Sequence, residues 1–183
     1  MKSRVSESRG WTLVELLLST SLFLLILTWI FPGMTGYHRT IRVKAGAQAL
    51  YDTLELARGE AVKSNGRIVI CKSSKGVVCE ADARWEHGWI VFNDVDNNGI
   101  LNGTEKVLHR EHAQPSSLSI RGNRPISEYV SYNAYGQSML TSGAFQTGTF
   151  TVCDRQGNPV SAHQVIINGA GRVRMSKTSN KTC

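Results

Sequence analysis

The sequence predicts an α+β fold: one long N-terminal helix, apolar in its first half and amphipathic in its second, packed on a mainly antiparallel β-sheet domain. Three observations carry this expectation. Residues 11–31 are almost wholly apolar, residues 43–61 repeat apolar side chains at helical spacings, and beyond Gly66 the chain breaks into short β-prone runs separated by turns. A length of 183 residues suits one domain with an appendage. The 17 glycines and 4 prolines show no period, and 41% hydrophobic residues can build a core, which excludes collagen-like and disordered classes. A net charge of +7 favours acidic partners: anionic lipid, nucleic acid or an acidic protein.

The first element is an apolar helix. Met1 to Gly10 is polar, with Lys2, Arg4 and Arg9 against Glu7, and Trp11 to Phe31 follows with Ser19, Thr20, Ser21 and Thr28 as small polar exceptions. Twenty-one residues at ~1.5 Å rise span roughly 31 Å, enough to cross a bilayer core. No Ala-x-Ala-like cleavage site follows Phe31, so the apolar stretch is expected to stay on the mature protein. Basic residues flank it on both sides (Arg39, Arg42 and Lys44 beyond), so charge does not set its orientation. Glu15 stands out, because a carboxylate near the start of a membrane helix either reaches headgroup water or takes a partner.

Pro32 and Gly33 are expected to break or bend the apolar run before a second, amphipathic stretch. There Val43, Ala47, Leu50, Leu54, Ala57 and Ala61 form one stripe, with Arg42, Lys44, Asp52, Glu55, Arg58 and Glu60 on other faces. Asn65-Gly66 is a helix C-cap signal. The strand candidates are residues 67–71, 77–79, 88–93, 105–110, 117–121, 129–133, 148–153, 163–168 and 172–176. Their connections are too short for crossover helices, which predicts antiparallel pairing.

Cys71, Cys79, Cys153 and Cys183 all follow the apolar segment. Cys71–Cys79 across a hairpin turning at residues 73–76, with Cys153–Cys183 tying back the tail, is the favoured pairing of three. Disulfides imply an oxidising compartment on the far side of the anchor. Zinc is the rival use of four thiolates, although there is no Cys-x-x-Cys pair.

Two patches carry chemistry. Asp94 to Glu105 fits the calcium-loop pattern D-x-[DN]-x-[DN]-G-x5-E, with Asp94, Asp96, Asn98, the Ile100 carbonyl, Asn102 and Glu105 offering oxygens around the turn at Gly99. Strand-like flanks argue against an EF-hand, and Asp, Asn and Gly also build metal-free turns, so calcium is possible and no cofactor is required. The second patch is the C-terminal end, where no acidic side chain follows Asp154 while Arg155, Arg172, Arg174, Lys177 and Lys181 add positive charge. After the turn at Gly169–Gly171, strand alternation points Arg172 and Arg174 one way, roughly 7 Å apart, and Val173 and Met175 toward the core. Such an edge makes bidentate phosphate contacts without reading bases; it is equally the pattern of a solvated strand face. Arg121 and Arg124, in or near a turn, would extend it. No enzyme is visible: His87, His109 and His112 neighbour acids without a nucleophile-elbow or phosphate-cradling motif.

Gly10-Trp11-Thr12-Leu13-Val14-Glu15 ahead of the apolar run resembles the type III signal of type IV prepilins and pseudopilins. The resemblance implies cleavage by prepilin peptidase between Gly10 and Trp11, methylation, and pairing of Glu15 with a neighbouring subunit's new N-terminal amine. It also implies the type IV pilin fold. The divisions would be a leader over 1–10, the transmembrane and assembly half of the helix over 11–35, and a periplasmic globular domain over 36–183 that includes the amphipathic half. Gly88-Trp-Ile-Val-Phe92 with its Asp/Asn/Gly loop resembles the FimT/GspH group of minor pilins and pseudopilins, and Gly171-Arg172-Val173-Arg174 looks like the Gly-Arg-x-Arg motif of FimT-type minor pilins. That likeness implies binding of extracellular double-stranded DNA for natural transformation, with other major and minor pilins as partners and the inner membrane as anchor before assembly into a surface pilus. The alternative is a structural minor pilin or GspH-like pseudopilin of type II secretion whose basic edge meets acidic neighbours. Anionic lipid is a third use of the same charge.

Overall fold

The computed structural model describes residues 11–155 and 162–178, with the helix backbone but not the side chains over 29–35. The chain divides into two compact units, Met1–His38 and Arg39–Cys183. Helix α1 is Leu13–Ser64. The Thr12 hydroxyl accepts the Glu15 amide at 3.3 Å, which satisfies one of the free N–H groups of the first turn. The Glu15 carboxylate lies in that turn, where the helix dipole favours negative charge. The polar exceptions of the apolar segment bond backward along the helix: Ser19 and Thr20 donate to the Leu16 carbonyl, Ser21 to Leu18 and Thr28 to Leu25. Each hydroxyl is thereby satisfied inside its own helix. Among the described residues no helix is long and apolar enough to cross a membrane; positions 29–31 of the predicted span lie beyond the described side chains. Of the break or bend expected at Pro32 and Gly33, the break does not occur, because one missing N–H removes a single rung from a 52-residue helix.

In the second unit, Val43, Ala47, Leu50, Leu54, Ala57 and Ala61 are all fully buried. The predicted stripe is the buried face of α1. Gly46 adds to the close approach, since a Cβ there would lie 2.8 Å from Leu118 Cδ1. The helix stops at Asn65, which takes the left-handed conformation (φ 50°), and the Gly66 amide closes back on the Ala61 carbonyl at 3.2 Å.

The strands are β1 (Arg67–Lys72), β2 (Trp89–Asp94), β3 (Val107–Glu111), β4 (Leu118–Gly122), β5 (Tyr129–Tyr132), β6 (Gly148–Asp154), β7 (Ala162–Ile167) and β8 (Val173–Thr178). They form two four-stranded sheets, ordered β3-β2-β1-β5 and β4-β6-β7-β8, in which all neighbours are antiparallel. Ile68 and Ile70 of the first sheet and Ile120, Phe150, Val152 and Val165 of the second join the helix stripe in one core. The opposite face of β1 and β2 (Val69, Cys71, Ile90 and Phe92) makes a smaller cluster.

Residues 77–79 are not a strand. Cys71 is paired with Cys79 as expected, but β1 already bonds β2 along one edge and β5 along the other, leaving no edge for a third partner. The segment is instead a loop, held by the disulfide, the Glu80 amide on the Lys72 carbonyl and the Lys72 ammonium on the Ala81 carbonyl. Cys153 is disulfide-bonded too, while Cys183 lies outside the described residues.

A buried carboxylate ties the connection before β2 to the second sheet. Trp85–His87 is a short 3-10 turn whose Trp85 ring meets Phe150 edge-on at 4.9 Å. Glu86, only 4% exposed, accepts the Ile120 amide at 3.1 Å and the Arg155 guanidinium. Burial alone would raise its pKa, but the Ile120 amide and Arg155 outweigh burial and hold it below the usual carboxylate value. A depressed carboxyl contributes stability that is complete above its ordinary 4.5 and is lost as pH falls through the folded value. Glu86→Gln is expected to cost about 2 kcal/mol at pH 7 and to flatten the loss of thermal stability below that pH, as followed by circular dichroism melts at pH 3 to 7.

Candidate nucleic-acid interface

The turn between β7 and β8 is built from its backbone outward. The Gly171 amide donates to the Asn168 carbonyl at 2.9 Å, and the Asn168 side-chain oxygen accepts the Arg172 amide at 3.0 Å. Gly171 has φ 75°, and a Cβ on it would lie 1.9 Å from the Gly136 carbonyl oxygen. Only glycine permits that contact. The same Gly136 oxygen accepts a hydrogen bond from Arg58 Nε of α1 at 3.1 Å. The helix therefore holds the 133–137 loop, and the loop holds the turn that presents Arg172. Sequence reading placed Arg58 on the helix's polar side and missed this role; the Asn133-Ala-Tyr-Gly136 turn was the available signal.

Arg172 and Arg174 are exposed, while Val173 and Met175 pack against the core. Neither arginine forms an ion pair among the described residues, and β8 is an edge strand. Lys177 is exposed as well, but it shares the face of Val173 and Met175 and sits opposite His163. Burial, then the charges of Lys177 and Lys44, lower the His163 pKa, a local sign of positive potential at that end of the sheet. Lys181 lies outside the described residues.

Arg155 does not join this edge. It follows β6 directly after Asp154 and is engaged by Glu86, so its charge is already opposed within its own subunit. The register brings in Arg121 instead. Arg121, Thr151, Gln164 and Ser176 form one cross-strand row, and Thr149, Ile166 and Arg174 the next residue pairs on the same outer face. Neither row carries a carboxylate, so cations on the β4 and β8 edges flank a neutral polar strip. Arg124, in the loop after β4, is exposed but belongs to neither row.

The 94–105 loop is self-supporting. Asp94 accepts the Asn98 and Gly99 amides, Asp96 the Asn98 amide and the Asn98 and Asn102 side chains, and Glu105 the Val95 and Asn102 amides. All six carboxylate oxygens thus have N–H donors. Asp94, Asp96 and Glu105 offer oxygens within 4.8 Å of one another, whereas Asn98 Oδ1 is taken by the Ile100 amide at 2.6 Å. Burial first, with repulsion from Glu105 adding to it, raises the Asp94 pKa. Arg67 stands 4.0 Å from Asp94 and opposes that crowding.

The profile of the type II transport protein GspH family matches residues 46–171 of this chain. The chain belongs to the GspH family. Its fold is that of the type IV pilins: the minor pilin FimU of Pseudomonas aeruginosa superposes with a TM-score of 0.54 at 18% identity, over 75% of this chain and 89% of FimU. The minor pseudopilin EpsH of the Vibrio cholerae type 2 secretion system superposes with a TM-score of 0.53 at 14% identity, over 74% of this chain and 97% of EpsH. No curated protein matches the sequence significantly. This GspH-family chain thus carries the type IV pilin fold.

The family match ends at Gly171, one residue before the exposed arginines, so membership rests on the helix and sheets and not on the basic edge. Within this pilin the edge depends on the glycine contact. Gly171→Ala is expected to cost about 3 kcal/mol, and Gly169→Ala clearly less, because its Cβ would meet only the Phe145 ring at 3.2 Å. Chemical denaturation of the two variants checks the ranking.

Proposed function

We propose that this minor pilin binds extracellular double-stranded DNA without sequence preference and supports DNA uptake in natural transformation. The observation that carries the reading is Arg172 and Arg174: exposed, on the same side of an edge strand, and without a carboxylate partner among the described residues. Two guanidiniums carried on a fixed backbone grip phosphate oxygens in pairs, and Arg121 on the same face adds a third contact across the sheet. Lys177 supplies further charge nearby. In this reading prepilin peptidase cuts between Gly10 and Trp11, the chain waits in the inner membrane by its N-terminal helix with the domain in the periplasm, and Glu15 joins it to other pilins in the fibre.

Binding of this kind falls steeply with salt, by ~0.9 in log K per log salt for each phosphate contact. For the full chain in detergent, Arg172→Gln with Arg174→Gln is expected to weaken duplex binding and reduce that slope by about two, with the melting temperature unchanged. An unaltered gel shift and slope would refute the reading. GspH-family membership favours a second reading, a structural subunit whose basic edge contacts acidic neighbours; a wild-type chain that ignores duplex DNA at low salt would favour that one.

For the 94–105 loop we propose a metal-independent turn, supported by the complete set of N–H donors on its carboxylates. Millimolar calcium is expected to leave the melting temperature where chelator leaves it. A rise of several degrees would assign the loop to calcium instead.

A further inference from the structure

Two aromatic rings stand beside the arginine turn with no core role. Tyr135 is 84% exposed and Phe145 is 60% exposed. Phe145 is placed by contact with the turn itself, and Tyr135 by its position in the loop on which the turn rests. Tyr135 immediately precedes Gly136, whose carbonyl lies against Gly171, and its amide is held by the Asn133 side chain at 3.0 Å. Phe145 lies over Gly169: a Cβ added there would be 3.2 and 3.3 Å from its ring carbons. Its backbone is fixed by a bridge to Met139 and by the bond from the Leu140 amide to the Ala144 carbonyl. The turn from Gly169 to Arg172 therefore has the exposed Phe145 ring over it and the exposed Tyr135 next to its Gly136 support, and it carries exposed guanidiniums at its exit.

A single exposed ring needs no partner, but two rings beside a basic turn form a surface whose neighbouring chemistry selects what would cover it. A duplex offers phosphates to arginine but keeps its base faces stacked inside. An unpaired strand offers both phosphates and base faces, and aromatic side chains next to a basic rim are the usual platform for it. We propose that the Gly169–Arg174 edge with Tyr135 and Phe145 is a site for single-stranded DNA, such as a frayed duplex end, with bases stacked on the two rings and phosphates held by Arg172 and Arg174. This rests on the DNA-binding reading above and specifies its substrate: the edge takes an open end in preference to the middle of a duplex.

Fluorescence anisotropy of the full chain in detergent with a labelled oligothymidylate and with a blunt-capped hairpin duplex separates the two claims. Tyr135→Ala and Phe145→Ala are each expected to weaken the single strand by about tenfold and the capped duplex by less than twofold. Arg172→Gln with Arg174→Gln weakens both. Tyr135→Phe, which keeps the ring, retains single-strand affinity, and Phe145→Leu, which keeps apolar cover over Gly169, loses it while melting like the wild type. Aromatic variants that leave oligothymidylate binding unchanged, or that weaken both DNAs equally, overturn the stacking site while the duplex reading stands. A wild-type chain that binds neither DNA overturns both.

Discussion

Val43, Ala47, Leu50, Leu54, Ala57 and Ala61 lie fully buried along one side of α1, and both sheets place core residues against them. The composition of that stripe sets the geometry. Three of the six are alanine and Gly46 stands beside them, so the helix backbone comes close to Leu118 and its neighbours. The larger Leu50 and Leu54 fill the centre, each contributing roughly 2 kcal/mol or more by burial. A helix seated this closely becomes a fixed reference for loops that touch its flanks. Arg58 is one such point: it leaves the stripe, bonds the Gly136 carbonyl and so fixes the loop on which Gly171 rests.

Much of this was legible because it obeys simple periods. The helical stripe was readable residue by residue, since a three-and-four repeat survives intact when one face is buried. Eight of the nine strand candidates became strands, as alternating β-prone runs between turn residues should. The failure at residues 77–79 has a different origin. A strand needs a free edge, and no local pattern says that β5, some fifty residues on, already occupies the outer edge of β1. The division into two sheets was hidden for the same reason. Arg172 and Arg174 were readable as outward neighbours because strand alternation is local. The loss of Arg155 to Glu86 was not, since sixty-nine residues separate the pair.

Charge in this chain is sorted by burial. Where a charge is deeply placed, its opposite is drawn to it: Arg67 to Asp94, Arg39 to Asp154 and Arg155 to Glu86, and, with the lysine as the buried partner, Glu128 to Lys72. Those pairs sit around the core, where an unopposed charge would be expensive. The positive excess of +7 is what this pairing leaves over. Since no acid follows Asp154, part of that excess collects on β8 and its turn. The basic edge is thus a consequence of where the acids are as much as of where the arginines are.

The turn decides whether that excess is merely present or is usable. An arginine on a mobile tail must lose side-chain and backbone freedom whenever it grips a phosphate, and each such loss subtracts from affinity. Here the backbone at Arg172 is already fixed by Asn168 and by the Gly171–Gly136 contact, and Val173 and Met175 hold β8 to the core between the two guanidiniums. Only the side chains remain to be ordered on binding. The same fixation keeps the Phe145 ring over Gly169 and Tyr135 next to Gly136, so rings and guanidiniums share one rigid support. On the proposed reading, a strand of DNA would meet a support already in place, with little of the backbone left to rearrange.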